Sequence, residues 1–371
     1  MDFVHALGGN LHLHHLVEAL TVHDHQTVDT RYAQIMARTV LYLRNLKHLR
    51  IKYCFTMFQW VSPADVAAQS RLYVETLKAP FLDRLQSLEI CLSQTDPWDM
   101  AARECIFRHP TLQKLCVIGC SMSNFHSFTP TMHHQTPLQY IRFLCCDIGP
   151  ATLAKILSVP RALQRFVMMG PRQDGEVQFS DANAALYLEA LKPQGHSLIQ
   201  IQIGFWFLDP IKSSTLDFSD FGKLEDLLFT PYVLVHQRGG GPAHVNLLPL
   251  IATNTPFPPS LKILGLYHLN PETLSATETI LMATLSRLVH SRTLPNLTSV
   301  TLFTPYFMKV SSATAADSTL DFLQDYASQT PWDQANLGQV AVRRVRIPVM
   351  RSFPLDCECS DFHMGRVVLK S

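Results

Sequence analysis

The sequence predicts an α/β fold built by repetition: a curved solenoid with a parallel sheet on its concave face and helices and irregular segments on its convex face. Three observations predict it. One apolar pattern, L-x-x-L-x-L, recurs along nearly the whole chain. Four of the steps between successive copies measure 25 to 27 residues. Several intervals between copies carry helical periodicity.

The copies follow in chain order. A weak one, VEALTVH, begins at Val17. LKHLRIKYC carries Leu46, Leu49, Ile51 and Cys54, and LQSLEIC carries Leu85, Leu88 and Ile90. LQKLCVIGC follows with Leu112, Leu115, Val117 and Cys120, then LQYIRFLCC with Leu138, Ile141, Phe143 and Cys146. Next come LQRFVMMG (Leu163, Phe166, Met168), LIQIQIG (Leu198, Ile201, Ile203) and LEDLLFT (Leu224, Leu227, Phe229). LKILGLYHL (Leu261, Leu264, Leu266, Leu269) and LTSVTLF (Leu297, Val300, Leu302) complete the strong set, and a weak copy, VRRVRIP, begins at Val342. Leu85 to Leu112 is 27 residues, Leu112 to Leu138 is 26, Leu138 to Leu163 is 25 and Leu198 to Leu224 is 26. These steps fall within the roughly 20 to 29 residues of a leucine-rich repeat. The longer steps, such as 37 residues from Leu224 to Leu261, read as loop insertions at constant phase, because lengthening a loop costs little. The expected organisation is an N-terminal flank over 1–16, a solenoid of roughly 9 to 11 irregular repeats over 17–348, and a C-terminal flank over 349–371.

Within each copy the L-x-L part alternates, so its apolar side chains point to one face and the intervening residues to the other. Helices are expected over 62–77, 149–158, 180–192 and 271–289. In the last, Asn270 is placed to cap and Pro271 to open the helix, and Leu274, Leu281, Leu285 and Leu288 recur at helical spacing. Strand-then-return units stack because none buries its apolar face alone.

The segments ending in Cys54, Cys120 and Cys146 have the full form L-x-x-L-x-L-x-x-C, with Val for Leu at one position of the second and Ile and Phe in the third. That form resembles the cysteine-containing leucine-rich repeats of F-box proteins, and the starts TPLQYI, HPTLQKL and LPNLTSV resemble the divergent repeats of fungal-type members. The resemblance covers roughly 17–348. It implies a substrate-recognition role in a ubiquitin ligase: in that family an F-box docks on the cullin-ligase adaptor and the repeats bind the protein to be ubiquitinated. The F-box itself, a helical segment that opens with a Leu-Pro pair, is not detected. The Leu-Pro pairs here are Leu248–Pro249 and Leu294–Pro295, inside the array. A ligase-independent scaffold or regulator using the same concave surface is the alternative.

Strand phase names the outward residues. They are His48, Arg50 and Lys52, then Ser87, Glu89 and Cys91, then Lys114, Cys116 and Ile118, then Tyr140, Arg142 and Leu144. Arg165, Val167 and Met169 follow, then Gln200, Gln202 and Gly204, then Asp226, Leu228 and Thr230. Ile263, Gly265 and Tyr267, with Ser299, Thr301 and Phe303, close the series. The early copies are cationic, with Glu89 their one acid, and the late ones neutral, apolar or aromatic. The candidate partner-binding residues are therefore His48, Arg50, Lys52, Lys114, Tyr140, Arg142, Arg165, Tyr267 and Phe303. They suit a protein partner with an acidic segment for the early copies and an apolar one for the late copies.

Composition narrows the function classes. The chain has 371 residues, 47% hydrophobic and 16% charged, with a formal net charge of +1. It has apolar side chains enough for an extended core and no global charge that points to nucleic acid or a membrane surface. The first residues, MDFVHALGGNLHLHHL, lack the basic start and apolar stretch of a signal peptide, and no apolar run approaches the roughly 18 residues of a membrane helix. Nine cysteines without a C-x-x-C pair fit a reducing compartment, so a cytoplasmic or nuclear protein is expected. The histidines cluster at His12, His14 and His15, at His23 and His25, and at His133 and His134. Metal sites need ligands fixed in geometry, usually with a carboxylate or cysteine nearby, and the early cluster falls in an expected flexible end, so it reads as adventitious binding rather than a site. Cys357 and Cys359 form a C-x-C pair read as free thiols, and Gly239–Gly240–Gly241 reads as a loop rather than a phosphate cradle. No nucleophile–base signature appears. The expectation is a binding protein without catalytic residues, metal or cofactor.

Overall fold

The computed structural model describes residues 11–25, 38–54, 82–91, 98–99, 105–118, 120–122, 133–144, 146, 148–169, 184–204, 217–229, 232–235, 244–247, 257–267, 294–308, 334–337 and 340–350. The chain forms two compact units, one up to Leu163 and the other Gln164–Ser352.

In the first unit β1 (Ala19–His25), β2 (His48–Cys54) and β3 (Ser87–Cys91) precede a short β4 (Trp98–Asp99). β5 (Lys114–Ile118), β6 (Cys120–Ser121) and β7 (Tyr140–Leu144) follow. β1, β2, β3, β5 and β7 pair in parallel, in that order. β4 and β6 make a separate small parallel pair. The register is the one the leucine phase requires. Leu20, Leu49, Leu88, Leu115 and Ile141 stand opposite one another, as do Val22, Ile51, Ile90, Val117 and Phe143. Leu20 is buried at 8% exposure and the other nine at 2% or less.

The second unit repeats the scheme. β8 (Arg165–Met169), β9 (Gln200–Gly204), β10 (Asp226–Phe229), β13 (Ile263–Tyr267) and β14 (Ser299–Met308) pair in parallel. Phe166, Ile201, Leu227, Leu264 and Val300 form one buried row. β11 (Tyr232–Val235) and β12 (His244–Leu247) form an antiparallel hairpin pair. β15 (Gln334–Leu337) adds antiparallel to β16 (Val340–Met350), which itself runs parallel to β14. The parallel, α/β character expected from the sequence is thus present.

One phase differs from expectation. The pattern VRRVRIP sets Val345 and Ile347 opposite Val300 and Leu302, whereas the sheet pairs Val300 with Val342 and Leu302 with Arg344. The shift is three residues, an odd number, so each residue of β16 changes face. The segment allows both phases. Val340 and Val342 alternate in one, Val345, Ile347 and Val349 in the other, and Arg343–Arg344 separates them.

Two backbone devices recur in both units. The carbonyl just before a strand accepts two consecutive N–H groups from the next repeat. Glu18 O takes those of Lys47 and His48, Lys47 O those of Gln86 and Ser87, and Gln86 O those of Gln113 and Lys114. Gln164 O, Ile199 O, Glu225 O and Lys262 O do the same in the second unit. A tight turn also precedes the strand: the N–H groups of Leu46, Leu85, Leu224, Leu261 and Leu297 donate to the carbonyls of Leu43, Leu82, Phe221, Pro258 and Leu294. Those five acceptor residues are buried, so the repeat carries an apolar anchor three residues ahead of its first leucine.

Two of the expected helices fall on described residues. α1 (Pro150–Leu157) begins after Gly149 with Pro150 in its first turn, where a missing N–H costs nothing. Its Leu153, Ile156 and Leu157 are buried at helical spacing. α2 (Ala184–Leu191) lies within the expected 180–192 and runs into a 3-10 turn, Lys192–Gln194. The expected helices over 62–77 and 271–289, with Asn270 as cap, lie outside the described residues, as do Gly239–Gly241 and the Cys357/Cys359 pair. Aromatic side chains fill the core of the wider repeats. Phe218 lies 5.6 Å from Phe229 and stacks on Phe257 at 6.2 Å between ring centroids.

Cys146 shows why the pattern ends in cysteine: its buried thiol donates to the carbonyls of Val117 (3.4 Å) and Leu144 (3.2 Å), joining two repeats where the chain leaves β7. A small group with a weak donor fits that place.

Two stability predictions follow from these contacts. A Cβ on Gly195 would meet the backbone oxygens of Asp220 and Lys192, both at 3.1 Å, whereas one on Gly222 meets nothing within 4 Å. Gly195→Ala should destabilise by about 1–3 kcal/mol in denaturant unfolding, and Gly222→Ala should be neutral or stabilise by up to about 1 kcal/mol. His109 sits at the anchor position ahead of Leu112, 8% exposed. Burial pushes its imidazole below the ordinary 6.5, against the opposing hydrogen bond to the Leu82 backbone and the charge of Asp83. The neutral ring is the folded form, so its stabilising share is complete above pH 6.5 and is lost as pH falls below that value. Thermal melts of wild type should show that loss, and His109→Leu, which restores the residue type of Leu43 and Leu82, should reduce it.

Candidate functional site

With one face of each sheet given to core, the other is what each unit can present. In the first unit this face has three rows, with one residue from each of β2, β3, β5 and β7. The first is His48, Ser87, Lys114 and Tyr140. The second is Arg50, Glu89, Cys116 and Arg142, and the third is Lys52, Cys91, Ile118 and Leu144. His48, Arg50, Lys52, Lys114, Tyr140 and Arg142, expected to act together, therefore do lie on one surface. His48 and Lys114 are exposed, and Arg50, Tyr140 and Arg142 are partly buried.

The middle row is an electrostatic unit. Arg50 Nη2 lies 2.8 Å from Glu89 Oε2, and the Glu89 side chain keeps only 17% of its surface. Glu89 is thus Arg50's counter-ion rather than an isolated acid. Next to it the Cys116 thiol is pushed up to about 12. Burial is the main cause, Arg142 and Arg50 act to lower it, and Glu89 and Cys146 raise it. Cys116 thus fills the row as a thiol that burial holds in its protonated form.

The second unit's face begins with Arg165, Gln200, Asp226, Ile263 and Ser299. Gln200 Nε2 donates to Asp226 Oδ2 across strands at 2.9 Å. Arg165 is exposed, while Val167 and Leu228 in the next row are buried. Tyr267 and Phe303 hold paired positions on β13 and β14. Arg165 lies at the start of β8, three strands before β13 and in a different row, so it is not a neighbour of the aromatic pair.

Sequence reasoning missed the strand-entry rim of the first unit. There Lys47, Asp83, Arg84, Gln86, Thr111 and Gln113 line an open groove. Its cations already have partners: Lys47 binds Glu18 at 2.7 Å, and Arg84 Nη1 donates to Asn45 Oδ1 at 2.9 Å. The Thr111 hydroxyl donates to the Leu85 carbonyl of the preceding repeat, and Ser260 makes the equivalent bond to Leu224 in the second unit. The signal was available in the Leu-Gln pairs at 85–86, 112–113, 138–139 and 163–164. The groove is a seam between repeats.

Among the described residues no three His, Cys, Asp or Glu side chains gather as a metal site, and no helix is long and apolar enough to cross a membrane. His14 is packed against Tyr42, with ring centroids 6.0 Å apart, while His15 is exposed. No protein-family model matches the chain, and no curated protein matches it.

The state of Cys116 is directly measurable. At pH 8 a thiol near 12 is ionised to about one part in ten thousand. Native alkylation followed by peptide mapping should leave Cys116 unmodified while denatured protein labels fully.

Proposed function

We propose that the chain is a leucine-rich-repeat solenoid that acts by binding another protein, as an adaptor resembling the substrate-recognition part of an F-box ubiquitin-ligase receptor. The observation that carries the reading is the division of labour in the sheets. β2, β3, β5, β7, β8, β9 and β10 give their leucine positions to the core, and the opposite positions align as rows that carry cationic and polar residues. Neither a reacting pair nor a metal group is needed for such a surface to work. Arg and Tyr in partly desolvated positions are the residue types that carry interface energy. The cationic rows suit an acidic stretch of the partner, and the paired positions of Tyr267 and Phe303 suit an apolar one.

The test is affinity purification of the tagged chain from its native cell with the proteasome inhibited, followed by mass spectrometry. A specific protein recovered with cullin-ligase components supports the receptor. The same protein without them supports the ligase-independent scaffold, and recovery of no specific protein overturns the binding reading. Arg142→Glu and Arg165→Glu, singly and together, should lower recovery, with the double change costing about tenfold or more in affinity.

A further inference from the structure

Resting on the adaptor reading, we infer that the groove at the strand entrances of the first unit is a second docking point, taking an extended segment of the partner polypeptide that carries an acidic and a basic residue at alternate positions. The groove has two ends of opposite charge. At one end Arg84 reaches the preceding repeat, where its Nη1 donates to Asn45 Oδ1 at 2.9 Å. That acceptor is neutral, so the charge of Arg84 is not offset there. Lys47, which also lines the groove, is by contrast held by Glu18 at 2.7 Å. At the other end Asp83 lies toward the following repeat. The adjoining Leu82 backbone takes a hydrogen bond from His109, and the charge of Asp83 acts on that imidazole. Asp83 and Arg84 are both exposed, and Asp83 has no ion-pair partner among the described residues.

Between the ends the lining suits a polypeptide main chain. Gln86 and Gln113 stand just before β3 and β5, whose first residues are opposite one another. Both side-chain amides line the groove half-buried, and neither has a hydrogen-bond partner among the described residues. A primary amide donates and accepts at once, which complements one peptide unit. Pro110 and Pro137, also in the lining, bring no N–H to compete for the partner's carbonyls. Asn45, Asp83 and His109 belong to successive repeats, so the charged ends lie one to two strand spacings apart, about 5–10 Å. Alternate residues of an extended chain are about 6.8 Å apart and share a face. One acid and one base at such positions therefore reach Arg84 and Asp83 together. A run of one charge fits worse, because a polyanion that gains Arg84 also meets Asp83.

The experiment is fluorescence anisotropy of the full chain with a labelled serine peptide that carries one Glu-Ser-Lys at its centre. The matching Gln-Ser-Gln and Glu-Ser-Glu peptides serve as comparisons. The Glu-Ser-Lys peptide should bind tightest, with each comparison weaker by about fivefold. Asp83→Lys should reverse the order, so that Glu-Ser-Glu binds more tightly than Glu-Ser-Lys. Gln86→Ala combined with Gln113→Ala should weaken all three peptides alike, by about tenfold. Circular dichroism checks each variant's fold. If Asp83→Lys unfolds, Arg84→Glu gives the same test from the other end, where a Lys-Ser-Lys peptide should then bind tightest. Equal binding of the three peptides, tightest binding of Glu-Ser-Glu by the wild type, or no binding at millimolar concentration overturns the inference. So does an unchanged order in the folded charge variant or undiminished affinity in the folded glutamine variant. A chain that captures a protein in the purification but does not distinguish the peptides overturns this inference and leaves the adaptor reading standing. A chain that distinguishes them yet captures no protein supports the groove and overturns the adaptor.

Discussion

Everything in the two units depends on one repeated bond: a carbonyl at the strand entrance that accepts two successive N–H groups from the next repeat. It occurs at Glu18, Lys47, Gln86 and Gln113 in one unit and at Gln164, Ile199, Glu225 and Lys262 in the other. Strands alternate faces with a period of two, so a one-residue slip would turn every core leucine to solvent. The paired bonds set the starting residue of each strand relative to its neighbour, and the buried leucines penalise any other choice. Neither the length of the return path nor its composition enters that condition. Repeat spacings from 25 to 39 residues therefore coexist with an unchanged register.

The same constraint leaves the opposite face open to vary. Alternation puts Arg50, Glu89, Cys116 and Arg142 in line without asking them to fit one another, and they form a partly covered charge row because the strands bring them close. An ion pair as exposed as Arg50–Glu89 adds at most about 1 kcal/mol to folding. Its larger effect is on the surface field, where it neutralises one cation of the row, while Lys114 in the row before it is exposed. In the second unit the first row contains Gln200 bonded to Asp226, and the next row, with Val167, Gln202 and Leu228, carries no charge. Two faces made by one repeat thus differ in what they can attract.

Cysteine illustrates how position decides chemistry in this chain. Cys146 and Cys116 belong to neighbouring repeats, yet the former donates to two backbone carbonyls where the chain leaves a strand and the latter sits between charged groups in mid-row. His109 makes a similar point: at an anchor position held elsewhere by Leu43 and Leu82, its imidazole is kept neutral by burial.

The sequence by itself determined the L-x-x-L-x-L strands up to β14, the core face of those whose burial is described, and α1 and α2, because a period of two and a fixed leucine phase are local properties that burial reads directly. The outward rows were legible for the same reason, including the cross-strand positions of Tyr267 and Phe303. Tertiary structure alone decided which outward residues neutralise one another, since the Arg50–Glu89 contact joins side chains 39 residues apart. It also decided the phase of β16, where VRRVRIP offers two alternations and only pairing along Ser299–Met308 selects one. The apolar anchor three residues ahead of each first leucine went unread because Leu43, Leu82, Phe221, Pro258 and His109 share burial but not residue type. Burial is a property of the folded neighbours, and no local pattern records it when several kinds of side chain fill the same place.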